Sequence, residues 1–305
     1  MESPARLPAV PLHRYAQLAV LTALATMALK TLAWWLTNSV GLLSDALESG
    51  VNLAGALAAW WLLRLAAEPP DAEHAYGHGK AEYFSSAFEG GLILLAAGGI
   101  AATAVQRLWA PQPLAALDQG LVVSLFASLL NLATAAVLRR AGARHRSIAL
   151  EASGQHLLTD VWTSVGVLVG LGAAWLTGRW WLDPVLALLV AAHIVFTAVD
   201  LLRRSAAGLM DAALPASMLA PLEPVLARYR AQGIAFHAMR SRQSGRRHFL
   251  SLHVLVPPHW TVRQGHDLLE ALEAEIRGVL PQTVVFTHLE PLDDPAADRD
   301  IELDR

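Results

Sequence analysis

Ser44-Asp45-Ala46-Leu47-Glu48-Ser49-Gly50-Val51-Asn52 lies inside one long apolar run, and His156-Leu157-Leu158-Thr159-Asp160 lies inside another. Each stretch carries two metal-type side chains four residues apart: Glu48 and Asn52 in the first, His156 and Asp160 in the second. A helix brings residues i and i+4 onto one face, so each segment aims two ligands at a shared point. Ionisable groups at membrane depth are costly and are kept for function. Interhelical hydrogen bonding also uses polar residues in membranes. Two pairs of ligand types at helical spacing nevertheless favour a four-ligand, all-protein site for a divalent cation. Glu48 and Asp160 bring two negative charges, while neutral His156 and Asn52 bring none. A divalent ion therefore neutralises the site and limits the cost of burying it. Asp45, one turn before Glu48, is expected behind those ligands or on the path to them.

The surrounding composition fits a bilayer. Of 305 residues, 54% are hydrophobic and 16% charged, against about 25% charged in a soluble domain. Mean hydropathy is +0.40. Apolar residues crowd the first two thirds, and charges and histidines return after about residue 203. A net charge of −3 gives no basic surface for nucleic acid. The absence of cysteine excludes disulfides and thiolate metal sites. Ligands drawn from His, Asp, Glu, Asn and backbone suit zinc, iron(II), cobalt, nickel, manganese or cadmium better than copper(I).

Six transmembrane helices are expected near 13–36, 39–66, 83–109, 116–139, 149–177 and 181–203, each close to or above the roughly 20 residues a bilayer requires. Thr37-Asn38-Ser39, Pro69-Pro70, Pro111 and Pro113, Gly142 and Gly178 are the expected breaks. The first run is too long for a signal-peptide core and is read as a retained helix. Arg6, Arg14, Arg64, Lys80, Arg139, Arg140, Arg144, Arg146, Arg203 and Arg204 fall on one side, which places both termini, including segment 1–12, in the cytoplasm. Trp34, Trp35, Trp109, Trp180 and Trp181 fall at the opposite ends of spans, as an interfacial belt requires.

The transmembrane domain is taken as 13–206, followed by a small cytoplasmic α+β domain over 207–292 and a disordered tail over 293–305. Residues 215–231 read as a helix, 234–242 and 247–256 as strands, 261–280 as a helix capped by Thr261, and 283–290 as a third strand. Two further clusters carry ligand types. Asp71, His74 and His78 sit in a Pro- and Gly-bent loop between spans two and three; a solvated polar loop is the plainer alternative there. His237, His253, His266, His288 and Glu290 are spread over four elements of the last domain, and His288 and Glu290 share a strand face. Five such residues could hold one or two metal ions. His248 and His259 are expected at the surface, His13 and His145 near the membrane interface, and His193 as a packed histidine.

These residues together resemble the cation diffusion facilitator family, which includes bacterial zinc- and iron-efflux transporters. The likeness rests on Ser44-Asp45-Ala46 leading into Glu48 and Asn52, and on His74-Ala75-Tyr76-Gly77-His78-Gly79-Lys80-Ala81-Glu82. His156-x-x-x-Asp160 and Arg240-Ser241-Arg242-Gln243-Ser244-Gly245 add to it, and it spans about residues 12 to 291. The resemblance implies six transmembrane helices, a cytoplasmic ferredoxin-like (αββαβ) domain, a homodimer and a bacterial inner-membrane location. It implies a transport site at Glu48, Asn52, His156 and Asp160, a loop site at Asp71, His74 and His78, and cytoplasmic dimer-interface sites at His237, His253, His266, His288 and Glu290. It also implies a structural charge pair of Lys80 with Asp211. Zinc-selective relatives commonly carry His or Asp in place of Glu48, and Asp in place of Asn52. The harder ligand set here leaves iron(II), manganese, cobalt and cadmium open beside zinc.

The expected activity is divalent-cation efflux by alternating access in exchange for protons, because His156, Glu48 and Asp160 must be deprotonated to bind metal. His156 and Asp160 are the expected proton-coupling residues, His156 foremost because its ordinary pKa is near 6.5. Two rivals have other signatures. An intramembrane metal-dependent hydrolase keeps an open coordination position and a nearby base, whereas four ligands close this site and no His-Glu-x-x-His motif occurs. A membrane-anchored metal sensor would need fewer helices.

Overall fold

The computed structural model describes residues 11–37, 40–109, 119–179 and 181–295. The N-terminal segment 1–10, the tail from 296, Trp180, and the side chains of Trp34, Asp45 and Glu48 lie outside the described residues. The chain divides into two compact units, Met1–Ala206 and Ala207–Arg305.

Among the described residues, the first unit holds six long helices: α1 (His13–Thr37), α2 (Val40–Ala66), α3 (Ala81–Trp109), α4 (Gln119–His145), α5 (Ile148–Thr177) and α6 (Leu182–Leu209). Three described stretches, His13–Leu32, Ala81–Trp109 and Pro184–Leu209, are long and apolar enough by themselves to cross a membrane. α1 packs on α2 and α4, α4 on α5, and α3 on α2 and α5. Small residues line these contacts: Ala16, Ala19, Ala23, Ala135, Ala149 and Ala152 are buried. Lipid supplies no hydrophobic drive between helices, so close backbone approach and polar clips take its place. Thr22 Oγ1 and Thr134 Oγ1, 2.8 Å apart, join α1 to α4. Ser86 Oγ and Ser205 Oγ, 2.6 Å apart, join α3 to α6. Leu21, Leu95, Trp109, Phe126, Leu189 and Phe196 point outward and exposed, the inverse of a water-soluble bundle and the arrangement a lipid surface accepts.

Helix ends differ from the sequence reading at α4 and α6. α4 continues to His145 instead of stopping at 139, and Gly142 lies inside it. A Cβ at Gly142 would come within 2.9 Å of both the backbone N and Cγ of Glu151. The glycine serves close packing of α4 on α5, so it does not break the helix. Only Arg146 and Ser147 connect the two helices. Arg146 takes the left-handed conformation (φ 52°), and Ser147 Oγ accepts from Leu150 N as the N-cap of α5. α6 likewise runs on to Leu209.

The second unit runs α7 (Ala216–Leu219), a 3₁₀ turn (Ala220–Leu222), α8 (Glu223–Arg230), β1 (Ala235–Ser244), β2 (Arg247–Val256), α9 (Val262–Val279) and β3 (Thr283–Pro291). The single helix expected over 215–231 is broken because Pro221 and Pro224 lack the N–H a continuous helix needs. β1 and β2 are antiparallel, and β2 and β3 parallel, in the order β1-β2-β3. A parallel pair needs a crossover, here α9. Thr261 caps it through a capping box with Gln264. Leu250, Leu252, Val254 and Val256 of β2 pack with Leu272 and Ile276 of α9 on one sheet face.

His248 is a correction to the sequence reading. It is 1% exposed rather than at the surface. The period of two puts it in phase with Leu250 and Leu252, on the helix-covered face.

The α4–α5 contact yields a test. Gly142→Val forces the two helices apart against the Glu151 backbone, an overpacking cost of about 1–3 kcal/mol. The thermal midpoint of the solubilised protein should fall, and an unchanged midpoint would refute the close approach.

Candidate metal centres

Ser147 fixes the start of α5, and the helix then carries His156 and Asp160 one turn apart. α2 carries Asn52. The Asn52 amide bridges these two helices. Its Nδ2 donates to Asp160 Oδ2 at 2.6 Å, and its Oδ1 lies 2.8 Å from His156 Nε2. A carboxylate only accepts, so the amide N–H₂ must face Asp160 and the carbonyl must face His156. That carbonyl calls for an N–H at Nε2. The same proton must leave Nε2 before the nitrogen can ligate a metal ion.

A second amide enters from α4, where Asn131 Nδ2 donates to Asp160 Oδ2 at 3.3 Å. His156 is 7% exposed and Asn131 4%, so the network lies inside the bundle. The sequence reading missed Asn131. The signal was present: a polar side chain within the apolar run of α4. Glu48 stands four residues before Asn52 on α2, with Asp45 another turn back; their side chains lie outside the described residues.

The loop cluster is assembled as well. After Pro69-Pro70, Asp71 Oδ1 accepts the backbone N–H groups of His74 at 2.6 Å and Glu73 at 3.0 Å. The His74 N–H chiefly holds the Asp71 carboxyl below the usual carboxylate range. Gly77, at φ 82°, bends the chain back. His74 Nδ1 then lies 3.3 Å, and His78 Nε2 3.4 Å, from the Asp71 carboxylate. The three ligand atoms fall within 4.8 Å of one another.

In the second unit, strand register builds the third cluster. His237 of β1 pairs with His253 of β2, which pairs with His288 of β3. The three histidines therefore form a row on the sheet face opposite the helices. Glu290, two residues beyond His288, is 6% exposed. Its carboxylate lies 2.8 Å from His237 Nε2, 2.9 Å from His253 Nδ1 and 3.5 Å from His288 Nε2. His237, His253 and Glu290 present ligand atoms within 4.8 Å of one another, while the His288 side chain is 64% exposed at the rim. His266 stands exposed on α9 and is not brought into this group within one protomer. Asp211 receives Arg242 Nη1 at 3.2 Å.

The cation efflux transmembrane domain matches residues 16–210, and the cytoplasmic domain of cation efflux proteins matches 215–292. A Synechocystis sp. protein named as an uncharacterized transporter is 51% identical over 281 residues, covering 92% of this chain and 91% of its own. The cation-efflux pump FieF of Klebsiella pneumoniae is 30% identical over 279 residues, covering 91% and 92%. That of Shewanella oneidensis is 28% identical over 273 residues, covering 90% and 92%. The chain belongs to the cation diffusion facilitator, or cation efflux, family. It is an integral membrane transporter whose substrates are divalent metal ions, not an enzyme, and the hydrolase alternative falls away.

His253 gives a pH test. Burial pushes its imidazole below the ordinary histidine value, ahead of the opposing pull of Glu290. The folded state then binds fewer protons than the unfolded chain between that lowered value and the ordinary one near 6.5. The stability linked to neutral His253 is full above the ordinary value and is lost as pH falls through the lowered one. The metal-free protein should unfold more easily as pH falls from about 8 to about 5, and less of that loss should remain in His253→Gln. Equal pH dependence in both proteins would contradict the assignment.

Proposed function

We propose that this chain exports a divalent cation from the cytoplasm across the bacterial inner membrane in exchange for protons. The supporting observation is the Asn52 amide shared between His156 Nε2 and Asp160 Oδ2. Two helices converge there on candidate ligand atoms, and the proton on His156 Nε2 must move, to Nδ1 or to solvent, before a metal ion can bind that nitrogen. Glu48 completes the ligand set from the preceding turn of α2. All six long helices span the bilayer in this reading, with transmembrane and cytoplasmic domains over 13–206 and 207–292 and both termini cytoplasmic. The pump named for the Klebsiella pneumoniae relative is a cation-efflux pump, which supports the outward direction.

A purely structural network would account for Asn52 and Asn131 equally well. It does not account for the charge balance: two carboxylates and two neutral ligands suit one divalent ion. The substrate is zinc or iron(II), with manganese, cobalt, cadmium and nickel within the range of the same ligands.

Flux into proteoliposomes separates the two readings. Asp160→Ala should reduce zinc, iron and manganese transport to the level of empty vesicles; flux equal to wild type would remove this site. Asn52→Asp adds a charged oxygen and moves the set towards the arrangement common in zinc transporters. It should raise zinc flux relative to manganese severalfold, because ligand type sets the order of metal preference. An unchanged ratio would separate selectivity from Asn52.

The cytoplasmic unit acts as a metal-responsive dimerisation domain in this reading. His237, His253 and Glu290 form the seat, His288 stands at its rim, and His266 requires a second protomer to take part. His237→Ala combined with His288→Ala should abolish metal-dependent dimerisation and lower transport. Wild-type behaviour of that double variant would exclude the role.

A further inference from the structure

α3 and α5 meet along a seam that holds more ionisable chemistry than the cation site uses. Glu89 of α3 is 2% exposed, and Ser153 Oγ of α5 donates to its Oε1 at 2.5 Å. Around it the packing is apolar. Ile93, Ala97 and Ala152 form a buried cluster with Ile194, Ala198 and Leu201 of α6, and the adjacent Gly90 abuts Leu202.

The charged groups of the packed elements are engaged elsewhere or lie on other turns. α5 carries Glu151, His156 and Asp160; α6 carries Asp183, His193, Asp200, Arg203 and Arg204; α2 carries Asp45, Glu48 and Arg64; α3 itself carries Glu82 and Arg107. Glu151 takes Arg204 at 2.7 Å, and His156 and Asp160 engage Asn52. Among the described residues the Ser153 hydroxyl is the one polar partner of Glu89. A carboxylate with one hydroxyl donor and no counter-charge is costly to bury, and the neutral acid avoids that cost.

Position adds a second observation. Ser153, His156 and Asp160 stand at i, i+3 and i+7 on α5, so they share a face. Ser153 is thus one turn, about 4.5 Å along the axis, from the cation site. On α3 the residues Glu82, Ser85 and Glu89 follow the same spacing. Glu82 is 3% exposed and accepts from Ser147 Oγ at the first residue before α5. Ser85, 1% exposed, has no protein hydrogen-bond partner for its Oγ among the described residues, the kind of group that bound water serves. Carboxyl and hydroxyl groups therefore line the seam from the loop end of α3 to the cation site.

We propose that Glu89 is a protonated carboxylic acid in this conformation and relays protons between the cation site and the cytoplasmic end of the α3–α5 seam. The relay rests on the proton-coupled reading above. An arriving cation displaces a proton from the site. Glu89 loses its own proton, by way of Ser85 and Glu82, to water at the cytoplasmic end, and then takes up the displaced one. One O–H bond breaks and one forms, so each passage leaves the seam at the same charge.

Two measurements on the full-length protein in lipid test this. Infrared spectroscopy at neutral pH should find the C=O band of a protonated carboxyl, lost in Glu89→Gln and shifted in Ser153→Ala. Stopped-flow recording with a pH dye follows proton release after zinc is added. Glu89→Gln preserves shape and hydrogen bonding, so zinc affinity at equilibrium should hold while release slows about tenfold or more. A purely structural Glu89 would leave that rate unchanged. Absence of the band in wild type, or its survival in Glu89→Gln, overturns the protonated acid. A wild-type release rate in Glu89→Gln overturns the relay. If Glu89→Gln fails to fold, Glu89→Asp serves in its place: a displaced band and slowed release support the proposal, and an unmoved band with an unchanged rate overturns it. A wild type that releases no proton on binding zinc overturns the antiport reading and the relay with it, while the infrared result judges the protonated acid by itself.

Discussion

One amide governs the chemistry of the first unit. Asn52 gives its N–H to Asp160 and turns its carbonyl to His156, so the orientation of a single side chain decides where a proton sits on the imidazole. In a medium that cannot solvate charge, each partner must be satisfied by the others. Asp160 is held by two amides, from Asn52 and Asn131, and this ties α2, α4 and α5 to one point. A divalent ion arriving there would replace hydrogen bonds with coordination and would find the charge it needs already in place. The binding step and the change in helix contacts are then one event.

The same constraint explains the rest of the bundle. Helices that cannot gain from hiding apolar surface pack through alanine and through hydroxyl clips such as Thr22 with Thr134 and Ser86 with Ser205. Bare Cα atoms allow the closest approaches, as Gly142 does against the start of α5. The second unit obeys the opposite rule. Its core is Leu250, Leu252, Val254, Val256, Leu272 and Ile276 on one face of a three-stranded sheet, which frees the other face for the row His237, His253 and His288.

Much of this was legible in the sequence. Spacing of four on a helix marked His156 with Asp160, and the shared strand face of His288 and Glu290 followed from a period of two. The elements of the cytoplasmic unit were readable from turn and cap residues, Thr261 above all. Other features were not, for physical reasons. Asn131 belongs to no pair on its own helix, so its role appears only when α4 and α5 are packed. Glu82 and Glu89 lie seven residues apart on α3, but their serine partners lie elsewhere, Ser147 at the cap of α5 and Ser153 on it. Gly142 looks the same in sequence whether it ends a helix or admits a neighbour. His248 lies on the covered face because the strand's period of two carries it there with Leu250 and Leu252.

The central claim is that a proton and a divalent cation compete for the same atoms between α2 and α5. Its most direct test loads proteoliposomes with zinc on both sides at equal concentration and records lumenal metal and lumenal pH together while a pH gradient is imposed. Coupled exchange predicts net zinc movement against the proton flow, reversing when the gradient is reversed. Zinc that stays at equilibrium under either gradient, in protein that still passes zinc down its own gradient, would contradict the account.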